Sequence, residues 1–351
     1  MEWRTEQIIG DARFLPLGRR NERQDPLRLF WTGSGLAMQS AARRLSARIE
    51  ADYALYTPWM CVAVDGALVA RFPLRAGAHD YDLLTGMDET VPHRVTLTLD
   101  TQPMEDDARL TARILRVTAD GELLDMEKRP RIEFIGDSLT TGEGLAGPVG
   151  AEEWRTVWMC GAMTYAAQAC ALLRADGEWV SQSGWGVLSD WTGDRRHTLP
   201  AVYSDVCALS PAGRIPYDFA AHPVSAVVVN LGTNDMSALR AQAEADRPGW
   251  EADLTAAVKG FCAKITAARP GVPLLWICGM CGTELNALLS CAVSEAAAEL
   301  SSPVAFRGLM PCPPEQIGSR QHPGWLSHRD AACAVAEGLK ALGSACARKG
   351  D

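Results

Sequence analysis

Four short blocks in this 351-residue chain carry residue types suited to acyl-transfer chemistry. The first is Gly136-Asp137-Ser138-Leu139, within the stretch from Arg131 to Gly144, where an apolar run stops at Gly136. The second is Ser181-Gln182-Ser183-Gly184-Trp185-Gly186, the third Asn230-Leu231-Gly232-Thr233-Asn234-Asp235, and the fourth Gln321-His322-Pro323-Gly324. Serine is a weak nucleophile near neutral pH and needs an adjacent base, a role His322 could fill. The tetrahedral intermediate needs donors aimed at its oxyanion. The backbone N–H of Ser138, that of a loop glycine and the Asn234 side-chain amide would make three. Taken alone, Ser138 could equally cap a helix, a common role for serine. The other three blocks favour the nucleophile.

The elements that must position these blocks alternate between strand and helix. Strands are expected over Arg131–Ile135, Glu178–Gln182, Ala226–Asn230, Pro273–Cys278 and Pro303–Arg307. Helical patterns fall near Met163–Arg174, Leu199–Leu209, Ala252–Ala268 and Glu284–Leu300. A last helix is expected from about His328 to Ala347, with Ser327 as its N-cap and Asp330 in its first turn. This rhythm predicts a parallel sheet covered on both faces, with functional loops at the carboxyl ends of its strands. Each of the four blocks follows such a strand.

Residues from about 27 to 125 read differently. Leu45, Ala47, Ile49, Ala51 and Tyr53 alternate with polar neighbours, as in a half-buried strand. Met60 to Phe72 reads as two strands joined at Asp65-Gly66, a strong hairpin signal. Val95, Leu97 and Leu99 alternate again, as do Leu110, Ala112 and Ile114, before a turn at Asp120-Gly121. Many short strands separated by turns predict a sandwich or jelly roll. Asp125 to Pro130 reads as a linker, which gives a 1–128 all-β domain and a 129–351 α/β domain.

A net charge of −9 speaks against nucleic acid or an anionic membrane as partner and is compatible with neutral substrates. The first residues lack the basic and then apolar pattern of a signal peptide, and no apolar run approaches membrane-spanning length. The eleven cysteines are scattered, mostly in apolar contexts, and read as reduced core thiols of a cytoplasmic protein. Cys278-Gly-Met-Cys281 has the spacing of a metal or redox pair, but no second pair accompanies it, and no metal or cofactor is expected.

The four blocks, in this order and each after a strand, resemble the SGNH (GDSL-type) hydrolases over about Arg131 to the C terminus. That resemblance implies a flavodoxin-like three-layer α/β fold, with Ser138 as nucleophile, His322 as base, and Gly184 and Asn234 completing the oxyanion hole with Ser138. Gly186 is the alternative to Gly184. Most of the family carries an aspartate two or three residues before the histidine. Here those positions are Arg320 and Ser319. An arginine beside the base would disfavour its charged form. The resemblance therefore implies a Ser–His dyad with a backbone carbonyl behind the ring, and a remote carboxylate such as Glu315 is the alternative. His328, at the start of the last helix, reads as structural. His79, His93, His197 and His222 read as surface or satisfied polar residues.

An all-β domain preceding such a hydrolase resembles the family-two carbohydrate esterases, and Trp31-Thr32-Gly33-Ser34-Gly35 is similar to that family's N-terminal domain. This implies a serine esterase removing short acyl groups, acetyl foremost, from carbohydrates, with a small-molecule or oligosaccharide ester as substrate. Trp185 is the first choice for stacking on a sugar ring, with Trp325, Trp154, Trp158 and Trp191 as further aromatic candidates and Glu143 as a polar one. The alternatives are a lipid esterase or thioesterase of the same fold, or a carbohydrate-binding protein on a decayed esterase.

Overall fold

The structure, a computed structural model, describes residues 1–21, 25 and 27–347. It divides into two compact units: Met1–Arg129 with Trp154–Ala162 and Asp205–Tyr217, and the remainder from Pro130 onward.

In the first unit, two antiparallel sheets share one apolar core. One sheet runs Glu2–Arg4, Thr111–Ala119, Arg44–Asp52, Gly77–Thr85, and the other runs Glu122–Leu124, Gly35–Ala41, His93–Leu99, Trp59–Val64, Ala67–Pro73. Leu45, Ala47, Ile49 and Ala51 of the first sheet, and Leu36, Met38, Leu97 and Val62 of the second, meet in that core. Their period of two in sequence is therefore a period of two in burial. The hairpin turn at Asp65-Gly66 puts both residues at positive φ, 51° and 87°, the geometry that matches strand twist.

Two excursions of the chain join this unit. Asp100, fully buried, accepts from Arg71 Nε at 2.6 Å and from the Gly161 amide at 2.5 Å. The indole of Trp31 donates to the Val206 carbonyl at 2.7 Å. These contacts explain why the helix expected over Leu199–Leu209 stops at Val202. The Val206 carbonyl goes to an indole, and Val206 and Cys207 donate to Ile215 and Gly213 rather than continuing a helical ladder. Trp154 also belongs here and packs edge-on against Tyr56.

The second unit is a five-stranded parallel sheet in the order Asp176–Ser181, Arg131–Gly136, Ala226–Asn230, Leu274–Cys278, Val304–Gly308. Each strand lies within about two residues of its expected position. All residues of the inner strand Ala226–Asn230 are buried, as a sheet covered on both faces requires. On one face, Ile132, Phe134, Val228 and Ile277 pack against the helices Tyr165–Leu173 and Trp325–Ala347. The strand order reverses between Arg131–Gly136 and Ala226–Asn230, and the crevice outside their carboxyl ends is where open α/β sheets bind ligands.

The last helix begins at Trp325, three residues earlier than expected. Ser327 is thus not its N-cap; its hydroxyl donates to Gln316 Oε1 at 2.8 Å. Pro323-Gly324 ends the extended segment, so the helix starts immediately beyond it, with the His328 amide donating to the Gly324 carbonyl. The stretch Thr156–Leu173 reaches a mean hydropathy of 1.2 over 18 residues. It is divided into turns at Thr156–Trp158 and Gly161–Met163 and the helix Tyr165–Leu173.

Candidate active site

Ser138 opens a one-turn helix, Ser138–Thr141, immediately after its strand. The cap is its neighbour: the Asp137 carboxylate accepts from the Leu139 amide at 3.0 Å. Gly136 permits the sharp exit, because a Cβ there would lie 2.1 Å from Thr140 Oγ1 and 2.9 Å from the Asn230 carbonyl. Ser138 is 6% exposed and its Oγ lies 2.9 Å from His322 Nε2. On the far side of the ring, Nδ1 lies 2.8 Å from the Arg320 carbonyl oxygen. A carbonyl only accepts, so Nδ1 carries the proton and Nε2 presents its lone pair to the hydroxyl. The arrangement can take a proton from serine. Glu315, the alternative acid, is exposed in the turn Pro314–Gln316.

The backbone behind the histidine is unusual. Arg320 and Gln321 both have positive φ, 54° and 55°, a left-handed conformation costly for residues with a Cβ. Arg320 is anchored by Nε to Glu143 Oε1 at 2.6 Å, by Nη1 to the Glu152 carbonyl at 2.8 Å and by its amide to the Ala151 carbonyl at 2.6 Å. Glu143 therefore does not face a substrate with a free carboxylate. It is 5% exposed, neutralises the guanidinium beside His322, and donates its own amide to the Ser138 carbonyl at 3.0 Å.

The remaining blocks converge through direct bonds. Asn234 Nδ2 donates to the Trp185 carbonyl at 2.9 Å and to Asp137 Oδ2 at 3.3 Å. The Thr141 and Ser183 hydroxyls lie 3.2 Å apart, tying the glycine loop to the serine helix. Gly184 has φ +81°, and its amide and that of Ser138 find no acceptor among the described residues. Gly186 is packed under the acid of the third block: a Cβ there would lie 2.4 Å from Asp235 Oδ2. Asp235, fully buried, accepts from the amides of Val187, Leu188 and Ser189 and so shapes the whole turn.

Trp185 is 8% exposed and stacked on His197 at 5.2 Å, which leaves it little ring face for a sugar. Trp191, weighed below it from sequence, is 61% exposed, and a Cβ on Gly184 would lie 3.2 Å from its ring. Trp325 is 51% exposed at the start of the last helix, with Arg329 over its ring. The sequence order, Trp185 before Trp325 and Trp191, is therefore reversed, because ring exposure depends on loop packing.

His328 is fully buried and accepts from the Tyr165 amide at 3.0 Å, and burial holds its pKa down at about 3. That is a neutral structural histidine. Cys278 is buried, and burial pushes the Cys281 thiol up to about 12, far from a thiolate.

Burial also pushes Asp137 up to about 7, with the charge of Asp235 adding to it. The folded protein thus holds this proton more tightly than the unfolded chain does. The contribution to stability is complete below about pH 4 and is lost as pH rises to about 7. Asp137→Asn should remove that dependence, so its Tm relative to wild type should climb between pH 4.5 and 8. A flat Tm difference across that range would refute the assignment.

Known proteins resemble this chain. An acetyl xylan esterase, Est2A, from the rumen bacterium Butyrivibrio proteoclasticus is 29% identical, with a TM-score of 0.92 over 97% of both chains. A family two carbohydrate esterase from Clostridium thermocellum, solved with cellohexaose, shares the fold: TM-score 0.79 over 93% of this chain and 98% of that one, at 23% identity. Cellulase/esterase CelE of Acetivibrio thermocellus is 26% identical over 209 residues, 59% of this chain. The chain spans about a quarter of that curated relative's length, 24%. No family model matches. The chain resembles the family-two carbohydrate esterases in fold, and Est2A in both sequence and fold.

Proposed function

We propose that this chain, similar along its length to family-two carbohydrate esterases, is a carboxylic ester hydrolase that removes acetyl and other short acyl groups from oligosaccharides. The observation that carries the reading is the line Ser138 Oγ, His322 Nε2, His322 Nδ1, Arg320 carbonyl, with separations of 2.9 and 2.8 Å at its two hydrogen bonds. Ser138 Oγ attacks the ester carbonyl while His322 Nε2 takes its proton. The carbonyl of Arg320 holds the Nδ1–H and steadies the imidazolium, so a Ser–His dyad runs the reaction. The amides of Ser138 and Gly184 and the Asn234 side chain serve the oxyanion, Asn234 turning the hydrogen now on the longer bond to Asp137. Each such donor is worth about a hundredfold in rate or more. As the intermediate collapses and the bond from the acyl carbon to the sugar oxygen breaks, the His322 imidazolium gives its proton to that oxygen. Water, activated by the same nitrogen, then attacks the acyl-serine, releases the acid and restores Ser138.

The face of Trp191 beside Gly184 supports a sugar as the alcohol part, since an exposed aromatic plane suits a pyranose ring. We read the antiparallel unit as a jelly-roll accessory module. We assign the enzyme to the cytoplasm, in keeping with ten free thiols among the described residues.

A p-nitrophenyl ester series from acetate to long chains tests the reading, alongside an acetylated xylo-oligosaccharide. The rate should fall with acyl length, and Trp191→Ala should raise KM for the oligosaccharide about tenfold while leaving p-nitrophenyl acetate nearly unchanged. A rate that rises with chain length would instead identify a lipid esterase or thioesterase.

A further inference from the structure

We propose that the Glu143–Arg320 ion pair is the positioning device for His322, taking over through the backbone what a side-chain acid does in a triad. This rests on the esterase reading and goes one step deeper into the same site. The contacts form a closed ring. Ser138 Oγ meets His322 Nε2, His322 Nδ1 meets the Arg320 carbonyl, Arg320 Nε meets Glu143 Oε1, and the Glu143 amide returns to the Ser138 carbonyl. Every link involves backbone or a buried side chain.

The ring has a specific task. The Arg320 carbonyl can face Nδ1 only because Arg320 and Gln321 both occupy the left-handed region, which residues with a Cβ avoid unless the surroundings over-determine them. The surroundings here are the three anchors on Arg320 and the pairing of Ser319 with the Gly144 carbonyl, by Oγ at 3.1 Å and by its amide at 3.4 Å. Gly144 must be a glycine for that contact, since a Cβ would lie 2.5 Å from the Ser319 carbonyl and 3.1 Å from His322 Cβ. Glu143 is the one carboxylate in the arrangement and it also cancels the guanidinium charge next to the ring. It acts through Arg320, and neither residue touches the reacting atoms.

The test uses the full chain and four variants. Glu143→Ala and Arg320→Ala should each lower kcat on p-nitrophenyl acetate about a hundredfold with KM nearly unchanged, the scale of a misplaced catalytic group. The double variant should be no worse than either single one. Arg320→Gly should recover most of the loss, because glycine adopts positive φ without strain and keeps the carbonyl. Proton NMR of the His322 Nδ1–H supplies a readout independent of turnover: a hydrogen-bonded resonance present in wild type and Arg320→Gly, and lost in both alanine variants. Equal kcat in Arg320→Ala and Arg320→Gly, or losses that multiply in the double variant, would overturn the proposal. So would an Nδ1–H resonance that persists in Glu143→Ala. If wild type hydrolyses no ester yet shows the resonance change, the esterase reading fails and the positioning device stands.

Discussion

With Ser138 replaced by alanine, kcat/KM on p-nitrophenyl acetate is expected to fall about ten-thousandfold or more, the scale of removing a nucleophile that acts as a unit with its base. The fold should persist. The helix is capped by Asp137, and the Ser138 carbonyl, which accepts from Gly142, Glu143 and Thr141, is untouched by the change. Only the hydroxyl's bond to His322 is lost, so Tm should move little. A fluorophosphonate should label the wild type, Ser138 Oγ displacing fluoride and His322 taking the proton, and should fail to label the variant. Ester turnover in Ser138→Ala above one part in a hundred of wild type, on the scale of a single lost oxyanion donor, would assign the chemistry to another group. A wild type without turnover on any acetyl ester and indistinguishable from Ser138→Ala would favour the decayed, carbohydrate-binding alternative.

The largest expected loss of stability lies beneath the sheet, at Arg269. Glu133 and Glu178 sit directly opposite each other on neighbouring strands and both are fully buried. Arg269, just past the Arg247–Ala268 helix, reaches them with Nε 3.1 Å from Glu133 Oε2 and Nη2 3.6 Å from Glu178 Oε1. It also donates to the carbonyls of Phe219 and His222 and lies over the Phe219 ring. Arg131 reaches Glu178 only at 4.0 Å. Arg269→Met would leave two carboxylates facing each other without this partner. Breaking a buried pair in this way costs about 3–5 kcal/mol, a Tm drop of about 10 °C for a domain of this size. Adding Glu133→Gln and Glu178→Gln should restore most of it, because the cost is the stranded charge rather than the lost packing. A Tm within about 2 °C of wild type, measured by calorimetry, would show the pair to be dispensable.

Much of the parallel-sheet unit is legible in sequence because its signals are local. The runs Arg131–Ile135 and Ala226–Asn230 are apolar throughout, which a strand covered on both faces must be. Gly136-Asp137-Ser138 compresses strand end, helix cap and the proposed nucleophile into three residues. The errors occur where a distant partner decides. Leu199–Leu209 has the composition of a helix, yet Trp31, far away in sequence, takes the Val206 carbonyl and the helix ends at Val202. Sequence put Trp185 ahead of Trp191, yet His197 covers the first ring and the second stands open beside Gly184.

The same division runs through the site itself. By itself the sequence singled out Ser138, Gly184 and Asn234 as candidates, since each closely follows the end of a strand whose period is read locally, and His322 from its own block just before the last helix. Tertiary structure alone decided which group stands behind His322 and what holds it there. No aspartate precedes it, and the carbonyl that accepts from its ring belongs to a residue in a conformation that local propensity opposes. That conformation is held by Glu143, 177 residues earlier in the chain. A contact of such separation leaves no periodicity to read, because it exists only once two strand-end loops have been brought together by the sheet between them.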